Sequence, residues 1–384
     1  MKRLLLGAIA LMALAAQFVA SAGAGETASI SSDYKLLDPI SHGDLTVFPV
    51  VSNKGHDTSE FLTLDEGIRS GEVIVTEAGN LHSMMHRRPY PQTYPVSAQV
   101  NRLVLVNNSQ RPLLLLAGEI VTGGKQDRVV GKDRIVPAES DPVDLGVFCV
   151  EPHRWVESST KFGTMGFLMA QPSVRAKAMA EKDQQQVWNE VNNAKKTMSD
   201  NLRAAAAPPA AATGSGGGSG GSAAPLAYSR AARELDSTSS YAAARANGVV
   251  QKQMETITEP MQKSYESLIK QLRNQNAVGV VVAVKGRIVW ADLFASGSLL
   301  GKYWPKLLQS YAAEALTTPG EHRDVSVKEA QQFLENWQAQ HETVDSEPGL
   351  YRHRELVGDR FRAFQLTSLL PKANFDVHLS KMAE

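Results

Sequence analysis

The most concentrated run of polar residues that could do chemistry spans residues 119–128 and directly follows a run of leucines and small residues. Within it, Gly123 and Gly124 can adopt positive φ angles and expose their backbone N–H groups, which suits a cradle for an anion. Lys125 and Arg128 carry positive charges that could neutralise the same anion. Because ligand loops often follow buried strands, this segment is the first candidate for a binding site.

Two further side chains complete the predicted site. We expect Gln126 to contact a polar edge of the ligand, and Glu119 either to orient Lys125 or to act as a general base. The segment nearly matches a phosphate-binding P-loop, but an extra glycine precedes Lys125, and Gln126 stands where the Mg²⁺-binding hydroxyl residue belongs. ATP hydrolysis by that route is therefore excluded. A hairpin turn with solvated charges is the alternative interpretation.

A second candidate segment begins at Cys149, ends at Trp155 and reads CVEPHRW. Its Cys149 and His153 have the residue types of a thiolate–imidazole pair. Cys149 lies in an alternating strand pattern, however, which predicts a buried structural cysteine. We expect Glu151 and Arg154 to form an ion pair beneath Trp155 and to support the binding site.

Three carboxylates are candidates for acid–base catalysis. They are Glu119, Glu151 and Asp292, the last of which follows an apolar run. A hydrolase would need one of them as a base with a raised pKa, close to a water or metal position. The sequence does not show that the three converge, and structural ion pairs are the alternative.

Two other patterns are less informative. His82 and His86 are four residues apart and would share one face of a helix, as metal ligands do. No acidic residue lies between them and Pro89 follows, so we expect a polar loop and no metal site. A Gly-x-Ser-x-Gly pattern at 217–221 lies in low-complexity sequence without a preceding strand, which excludes a nucleophilic serine there.

Composition narrows the class of protein. The chain has 384 residues, of which 43% are hydrophobic, enough for a sizeable core. Its 40 basic and 40 acidic side chains give a formal net charge of zero, so a general nucleic-acid binder is not expected. The single cysteine excludes an intrachain disulfide framework.

The N-terminus has the pattern of a secretory signal peptide. Two basic residues precede an apolar run at 4–16, which is too short to cross a bilayer of roughly 30 Å comfortably. Small residues that follow predict cleavage after Ala22 or Ala24, so residues 1–24 are the expected leader. No later run is apolar enough to span a membrane, and the mature protein is expected to be secreted or periplasmic.

Periodicity predicts an α+β fold, with a mostly antiparallel sheet packed against several helices. Strand patterns dominate up to residue 150, helix-forming sequence covers 171–203 and 226–274, and strands and helices mix thereafter. The pattern also predicts a short helix that Thr63 caps, one strand over 128–136, a hairpin turn at Lys285-Gly286 and a helix that begins with a capping box at Ser326. Between the two helical stretches, residues 204–225 are rich in Ala, Pro, Gly and Ser, which predicts a flexible linker. This linker either interrupts a single domain or separates two domains at about residue 215.

Several of these pieces together resemble a bacterial family of unknown function, the ADP-ribosylglycohydrolase and rhodanese-phosphatase superfamily associated protein domain. The pieces that carry the resemblance are Pro112–Arg128, Ile135–Ala138, Cys149–Trp155, Gln186–Val191, Gly279–Phe294 and Lys306–Tyr311. Matching pieces on both sides of the linker imply one domain over residues 36–382. His153 departs from the pattern, because the family has a glycine at this turn.

The resemblance implies a nucleotide-like ligand, since the family is named for its association with enzymes of ADP-ribose metabolism. The first functional hypothesis is therefore a secreted domain that binds a small anionic ligand through Glu119, residues 123–126, Arg128 and Arg154. A hydrolase that uses Glu119 and Glu151 is the second hypothesis. The third is an envelope scaffold or protein-interaction module in which the charged motifs are structural. No cofactor is identified by the sequence.

Overall fold

The computed structural model describes residues 34–80, 99–207, 223–272 and 276–384. The predicted signal peptide, His82, His86 and the Gly/Ser tract of the linker lie outside the described residues. Within the described ranges, none of the helices has both the length and the apolar character that crossing a membrane requires.

Seventeen strands form in the described part of the chain. They are β1 (Tyr34–Leu36), β2 (Ile40–His42), β3 (Leu45–Ser52), β4 (Leu62–Thr63), β5 (Val73–Thr76), β6 (Arg102–Asn107), β7 (Leu113–Leu115), β8 (Ile120–Val121), β9 (Arg128–Val130), β10 (Arg134–Val136), β11 (Val143–Cys149), β12 (Asn276–Val284), β13 (Arg287–Phe294), β14 (Ala339–Glu347), β15 (Tyr351–Gly358), β16 (Phe361–Ser368) and β17 (Asp376–Ala383).

Eight α-helices accompany the strands in the same ranges. They are α1 (Leu64–Ser70), α2 (Pro172–Ala176), α3 (Gln184–Ala206), α4 (Ala223–Ser237), α5 (Tyr241–Ala246), α6 (Gly248–Gln271), α7 (Gly297–Thr317) and α8 (Val327–Glu335). A single turn of π-helix, Lys177–Glu181, follows α2 directly.

The largest sheet has nine antiparallel strands in the order β1-β3-β12-β13-β17-β16-β15-β14, with β2 paired to β3 as well. Two smaller sheets have the orders β10-β7-β4 and β5-β6-β11-β9-β8, and only the β4–β7 pair is parallel. With 37% of residues helical and 32% in strands, the predicted α+β class is confirmed.

Local sequence signals explain where several elements begin and end. Thr63 and Ser326 each form a capping box with the glutamate three residues later, so α1 and α8 begin where the sequence predicts. The predicted hairpin turn joins β12 to β13, and both of its central residues have positive φ, 49° at Lys285 and 76° at Gly286.

Other element predictions are wrong in part. The run at 128–136, expected as one strand, is split into β9 and β10 by a turn. The helical stretch at 226–274 consists of three helices, because the Ser240 and Asn247 side chains cap two new N-termini. Strands β14 and β15 were not predicted, since the mostly polar β14 is exposed along nearly its whole length and lacks alternation.

Helices α3 and α4, on either side of the linker, pack together in antiparallel orientation. Ser199 Oγ donates to Asp236 Oδ1 at 2.7 Å, and Lys195 Nζ donates to the Thr238 carbonyl at 2.6 Å. Residues 204–206 and 223–225, expected in the flexible linker, belong to these two helices, so the predicted linker is too long at both ends. Ala207 and Ala223, which border the part of the linker outside the described residues, lie at the same end of this helix pair.

A chain of buried charges connects the sheets with the helices. Asp133, in the turn after β9, accepts at 2.6 Å from His378 Nδ1 of β17. The other ring nitrogen of His378 lies 3.2 Å from Asp292 of β13, and Arg175 of α2 binds Asp292 through two bonds of 2.9 and 3.0 Å. Tyr311 of α7 also donates to Asp292. These charged side chains are at most 1% exposed.

The chain of charges also closes the candidate loop. Asp133 Oδ1 accepts a bond of 2.7 Å from the backbone N–H of Ala117, so one carboxylate holds both ends of the segment 117–133. Both ring nitrogens of His378 face carboxylates, so both must carry hydrogen and the ring is charged. Burial lowers the pKa of His378, but the Asp133 carboxylate outweighs burial and the pKa rises to about 9.

This raised pKa predicts a loss of stability in alkaline solution. The native state binds the His378 proton more tightly than the unfolded state, so the stabilisation is complete below pH 6.5 and disappears as pH rises through about 9. At 1.36 kcal/mol per pKa unit, we expect the His378 proton by itself to lower the free energy of unfolding by about 3 kcal/mol between these values. Lys381 acts in the opposite direction, because burial lowers its pKa to about 7 and the unfolded state therefore binds its proton more tightly. The quantity that reports on His378 is thus the difference between the wild type and a variant that lacks this histidine. Urea denaturation at both pH values measures it.

The His378→Gln variant keeps Lys381 and the other titrating groups, so its change in stability over the same interval supplies the background. Relative to this variant, the wild type should lose about 3 kcal/mol more. His353 contributes little, because burial lowers its pKa to about 4 and it is neutral in the native state throughout the interval. Equal changes in the wild type and the variant would contradict the assignment.

Candidate functional site

The loop at residues 123–128 has the predicted glycine geometry but not the predicted free donors. Gly123 and Gly124 have φ angles of 124° and 50°. The three successive N–H groups of residues 123–125 donate to Asp127 Oδ1, Ser159 Oγ and Glu77 Oε1, at 3.1, 3.2 and 3.1 Å. The expectation that Gly123 and Gly124 offer free donors to an anion is therefore wrong, because side chains of the protein already occupy them.

The two candidate segments meet at this loop. Glu151 Oε2 accepts from Arg154 Nη2 at 2.6 Å and from the Asp127 N–H at 3.0 Å. Gln126 Nε2 donates to the Glu151 carbonyl at 3.0 Å, and Arg154 Nη1 donates to the Gly124 carbonyl at 3.0 Å. The expected Glu151–Arg154 ion pair is present, and it fixes the shape of the loop.

Lys125 and Trp155 form the solvent-facing part of the cluster. The Lys125 ammonium lies 5.1 Å from the centroid of the Trp155 ring, and Trp155 is 43% exposed. Among the described residues, no carboxylate lies within ion-pair distance of this ammonium. The pair therefore presents a cation on an aromatic face, with its charge unneutralised by a direct contact in that part of the chain.

Arg128 lies beneath the loop and is fully buried. Its Nη1 donates to the Gln126 carbonyl at 2.7 Å, and its Nη2 is 3.8 Å from Glu77 Oε1. Among the described residues, four buried atoms of this cluster have no hydrogen-bond partner: Arg128 Nε and Nη2, Glu77 Oε2 and Gln126 Oε1. Within that part of the chain, the interior of the cluster therefore contains both donors and acceptors that make no hydrogen bond, which is rare in a folded protein.

Burial dominates the electrostatics of this cluster. It raises the pKa of Glu77 and of Asp127, and the neighbouring Glu151 carboxylate raises the pKa of Asp127 further. Burial likewise lowers the pKa of Arg128. The charged forms are retained because the carboxylates accept backbone N–H bonds and face two guanidinium groups.

Glu119 belongs to a different cluster. Its Oε1 accepts a bond from Lys306 of α7, and its Oε2 accepts from the Leu116 N–H at 2.8 Å. Lys306 also donates to Asp65 Oδ2 of α1 at 2.7 Å. The expectation that Glu119 orients Lys125 is therefore wrong, and burial raises the pKa of Glu119.

The three candidate catalytic carboxylates share no partner. Glu119 binds Lys306, Glu151 binds Arg154, and Asp292 lies in the chain of buried charges with Arg175. In the described ranges, no three His, Cys, Asp or Glu side chains are grouped closely enough to hold a metal ion.

Cys149 is fully buried, as its strand pattern predicts. Its sulfur accepts a bond of 3.3 Å from the Glu151 N–H, and burial raises the pKa of the thiol. Since a reactive cysteine needs a lowered pKa and access to solvent, a structural role fits this residue.

Sequence reasoning missed several partners in these clusters. Glu77 precedes its bond partner Lys125 by 48 residues, and Asp65 and Lys306 are 241 residues apart. Asp127 lies inside the candidate segment, but nothing in the sequence distinguishes it as a site residue. Its Oδ2 accepts a bond of 2.8 Å from the hydroxyl group of Ser240, the N-cap residue of α5, more than a hundred residues later.

The turn between Glu151 and Arg154 uses an unusual backbone conformation. His153 has a φ of 74°, in the left-handed region where glycine carries no steric cost. His153 therefore adopts the conformation that the expected glycine would adopt, and the turn is kept. The side chain is exposed, so its replacement tests the backbone alone.

We expect His153→Gly to raise the free energy of unfolding by less than about 1 kcal/mol, because gained freedom in the unfolded chain offsets part of the relief. His153→Val should lower it by about 1–2 kcal/mol, the cost of left-handed backbone at a β-branched residue. Urea denaturation measures both. Thr160→Val, at an exposed position of the same segment outside that region, is the control and should change little. Equal stability of the Gly and Val variants would contradict the assigned turn.

A known protein family matches most of the chain. The ARG and Rhodanese-Phosphatase-superfamily-associated Protein domain matches residues 33–382, and so includes both candidate segments, the linker and the helices on either side of it. No protein of curated function matches the chain, and no solved structure does either. Because the match covers most of its length, the chain belongs to the ARG and Rhodanese-Phosphatase-superfamily-associated Protein domain family.

Proposed function

We propose that this protein is a binding domain for a small anionic ligand, and that Lys125 and Trp155 make the first contacts. The observation that carries the proposal is the exposed Trp155 ring with the Lys125 ammonium over its face. Such a pair suits a ligand with a negatively charged group next to a flat or apolar face.

The residues beneath this pair would hold the ligand site in shape. Arg154 bonds to the carbonyls of Gly123 and Gly124 and to Glu151, so the loop is rigid before any ligand arrives. A rigid loop loses little conformational entropy on binding, which favours affinity. Gly123, Gly124, Gln126 and Arg128 act in this proposal as the supporting frame of Lys125.

A nucleotide-like ligand has the required chemistry, since it combines phosphate with a planar base. Inorganic phosphate, AMP and ADP-ribose are therefore suitable probes. Phosphate alone tests the charge contact, and the two nucleotides add the stacking contact with Trp155.

We expect Lys125→Ala to weaken the binding of all three probes about tenfold or more, which corresponds to about 1.4 kcal/mol. Trp155→Ala should weaken AMP and ADP-ribose but leave inorganic phosphate unchanged. Isothermal titration calorimetry measures these affinities. Lys161→Ala, at an exposed lysine in the neighbouring loop, is the control and should bind as the wild type does. Binding by the wild type that survives Lys125→Ala, or no binding of any probe, would overturn the proposal.

A protein-interaction role is the second candidate function, and the exposure of Val156 favours it. Val156 is 72% exposed and directly follows Trp155, so two apolar side chains face solvent together. If no small probe binds, a partner that co-purifies with the wild type and is lost in Val156→Asp would support this role.

We also propose that the protein acts outside the cytoplasm. The family match begins at residue 33, so the predicted leader at 1–24 lies outside the matched domain. Expression of the full sequence in a bacterium should give a mature chain that begins at Gly23 or Gly25. N-terminal sequencing and fractionation measure this, and a full-length cytoplasmic product would contradict it.

A further inference from the structure

We propose that Lys306 and Asp65 become joined by an amide bond between their side chains, with Glu119 as the acid–base group. Such an intramolecular isopeptide bond would link helix α7 to helix α1. It goes beyond the proposed binding function and does not depend on it.

The Lys306 side chain already contacts the other two side chains. Lys306 Nζ lies 2.7 Å from Asp65 Oδ2 and is also bonded to Glu119 Oε1. Lys306 is 2% exposed and Glu119 is 1% exposed, whereas the Asp65 side chain is 15% exposed. The amine is therefore held against the carboxyl group that it would attack, and the future acid–base group contacts the same nitrogen.

The protonation state of the cluster determines when Lys306 can react. One ammonium faces two carboxylates, which leaves an excess negative charge in a nearly dry interior, so the cluster gains by taking up a proton. Burial raises the pKa of Glu119. Burial lowers the pKa of Lys306, but the two carboxylates outweigh burial and raise it, so the ammonium is the resting form. The nucleophile forms when this ammonium passes a proton to the Asp65 carboxylate that it contacts while Glu119 is protonated, because both carboxyl groups and the amine are then neutral.

The step balances without any oxidant or cofactor. The lone pair of Lys306 Nζ attacks the carboxyl carbon of Asp65, and a C–N bond forms. Glu119 accepts a proton from the nitrogen and returns a proton to the departing hydroxyl group, so the C–O bond breaks and water leaves. Lys306 loses one hydrogen, Asp65 loses one hydroxyl group, and Glu119 is restored.

Two features of the fold support the reaction. Groups held in such geometry react with effective molarities of about 10⁵–10⁸ M, which favours a condensation that is unfavourable between free molecules. The Tyr303 ring, 4.7 Å from Lys306 Nζ, shields the amine from bulk water, while the partly exposed Asp65 leaves a path for the released water. The amide also replaces buried charges with a neutral group.

Intact-mass spectrometry of the purified mature protein tests the proposal. We expect a mass lower than that of the mature sequence by the mass of one water molecule. Proteolytic digestion should give a branched peptide that contains both Asp65 and Lys306. A full mass after prolonged incubation at neutral pH would overturn the proposal, and so would a water loss confined to a single unbranched peptide.

Variants separate the roles of the three residues. Lys306→Arg and Asp65→Ala should restore the full mass, and Glu119→Gln should do the same while keeping the shape of its side chain. Circular dichroism shows whether each variant folds. If a variant does not fold, the mass and the peptides of the wild type still decide whether the amide bond forms. Lys302→Ala is the matched control, because Lys302 pairs with Glu66 one turn earlier at a site that is about a third exposed. It should still lose one water.

Discussion

The interaction on which the rest of the structure depends is the buried chain from Asp133 through His378 and Asp292 to Arg175. Its two negative and two positive charges cancel, and each one has a direct partner. Removal of any one charge would leave the buried chain with an uncompensated net charge, at a cost of about 3–5 kcal/mol. Two sheets and helix α2 must therefore assemble together, and the candidate loop is closed in the same event because Asp133 also binds the N–H of Ala117.

The candidate loop has the glycine-rich backbone of an anion site, but side chains of the protein itself accept the bonds of its N–H groups. Carboxylates of Asp127 and Glu77 accept the backbone bonds that a bound anion would otherwise accept. These bonds hold the loop in shape without a ligand. In the proposed binding role, recognition would fall to Lys125 and Trp155 at the surface, and the glycine-rich, charged loop beneath them would act as their support.

Patterns among residues close in the sequence predict helix starts and turns correctly, whereas contacts between residues distant in the sequence are not predicted. The capping boxes at Thr63 and Ser326 and the turn at Lys285 depend on residues within a few positions, so the α+β class and many elements were predictable. The two candidate segments were also found correctly as neighbours. The pairing of Glu119 with Lys306 spans 187 residues, and that of Asp133 with His378 spans 245. No composition or spacing rule reaches across such distances, which is why Glu119 was assigned to the wrong cluster.

Strand β14 has a consequence for how copies of this protein behave beside one another. It is the last strand of the nine-stranded sheet, and its edge is open along nine residues. Its acidic side chains Glu342, Asp345 and Glu347 are held by Arg354, Lys132 and Arg134. A strand from another molecule that paired with this edge would cover these charged groups and remove water from a mostly polar surface. Among the described residues, the sheet thus ends in a strand whose backbone is unpaired on one side but whose polar side chains disfavour edge-to-edge pairing with another copy.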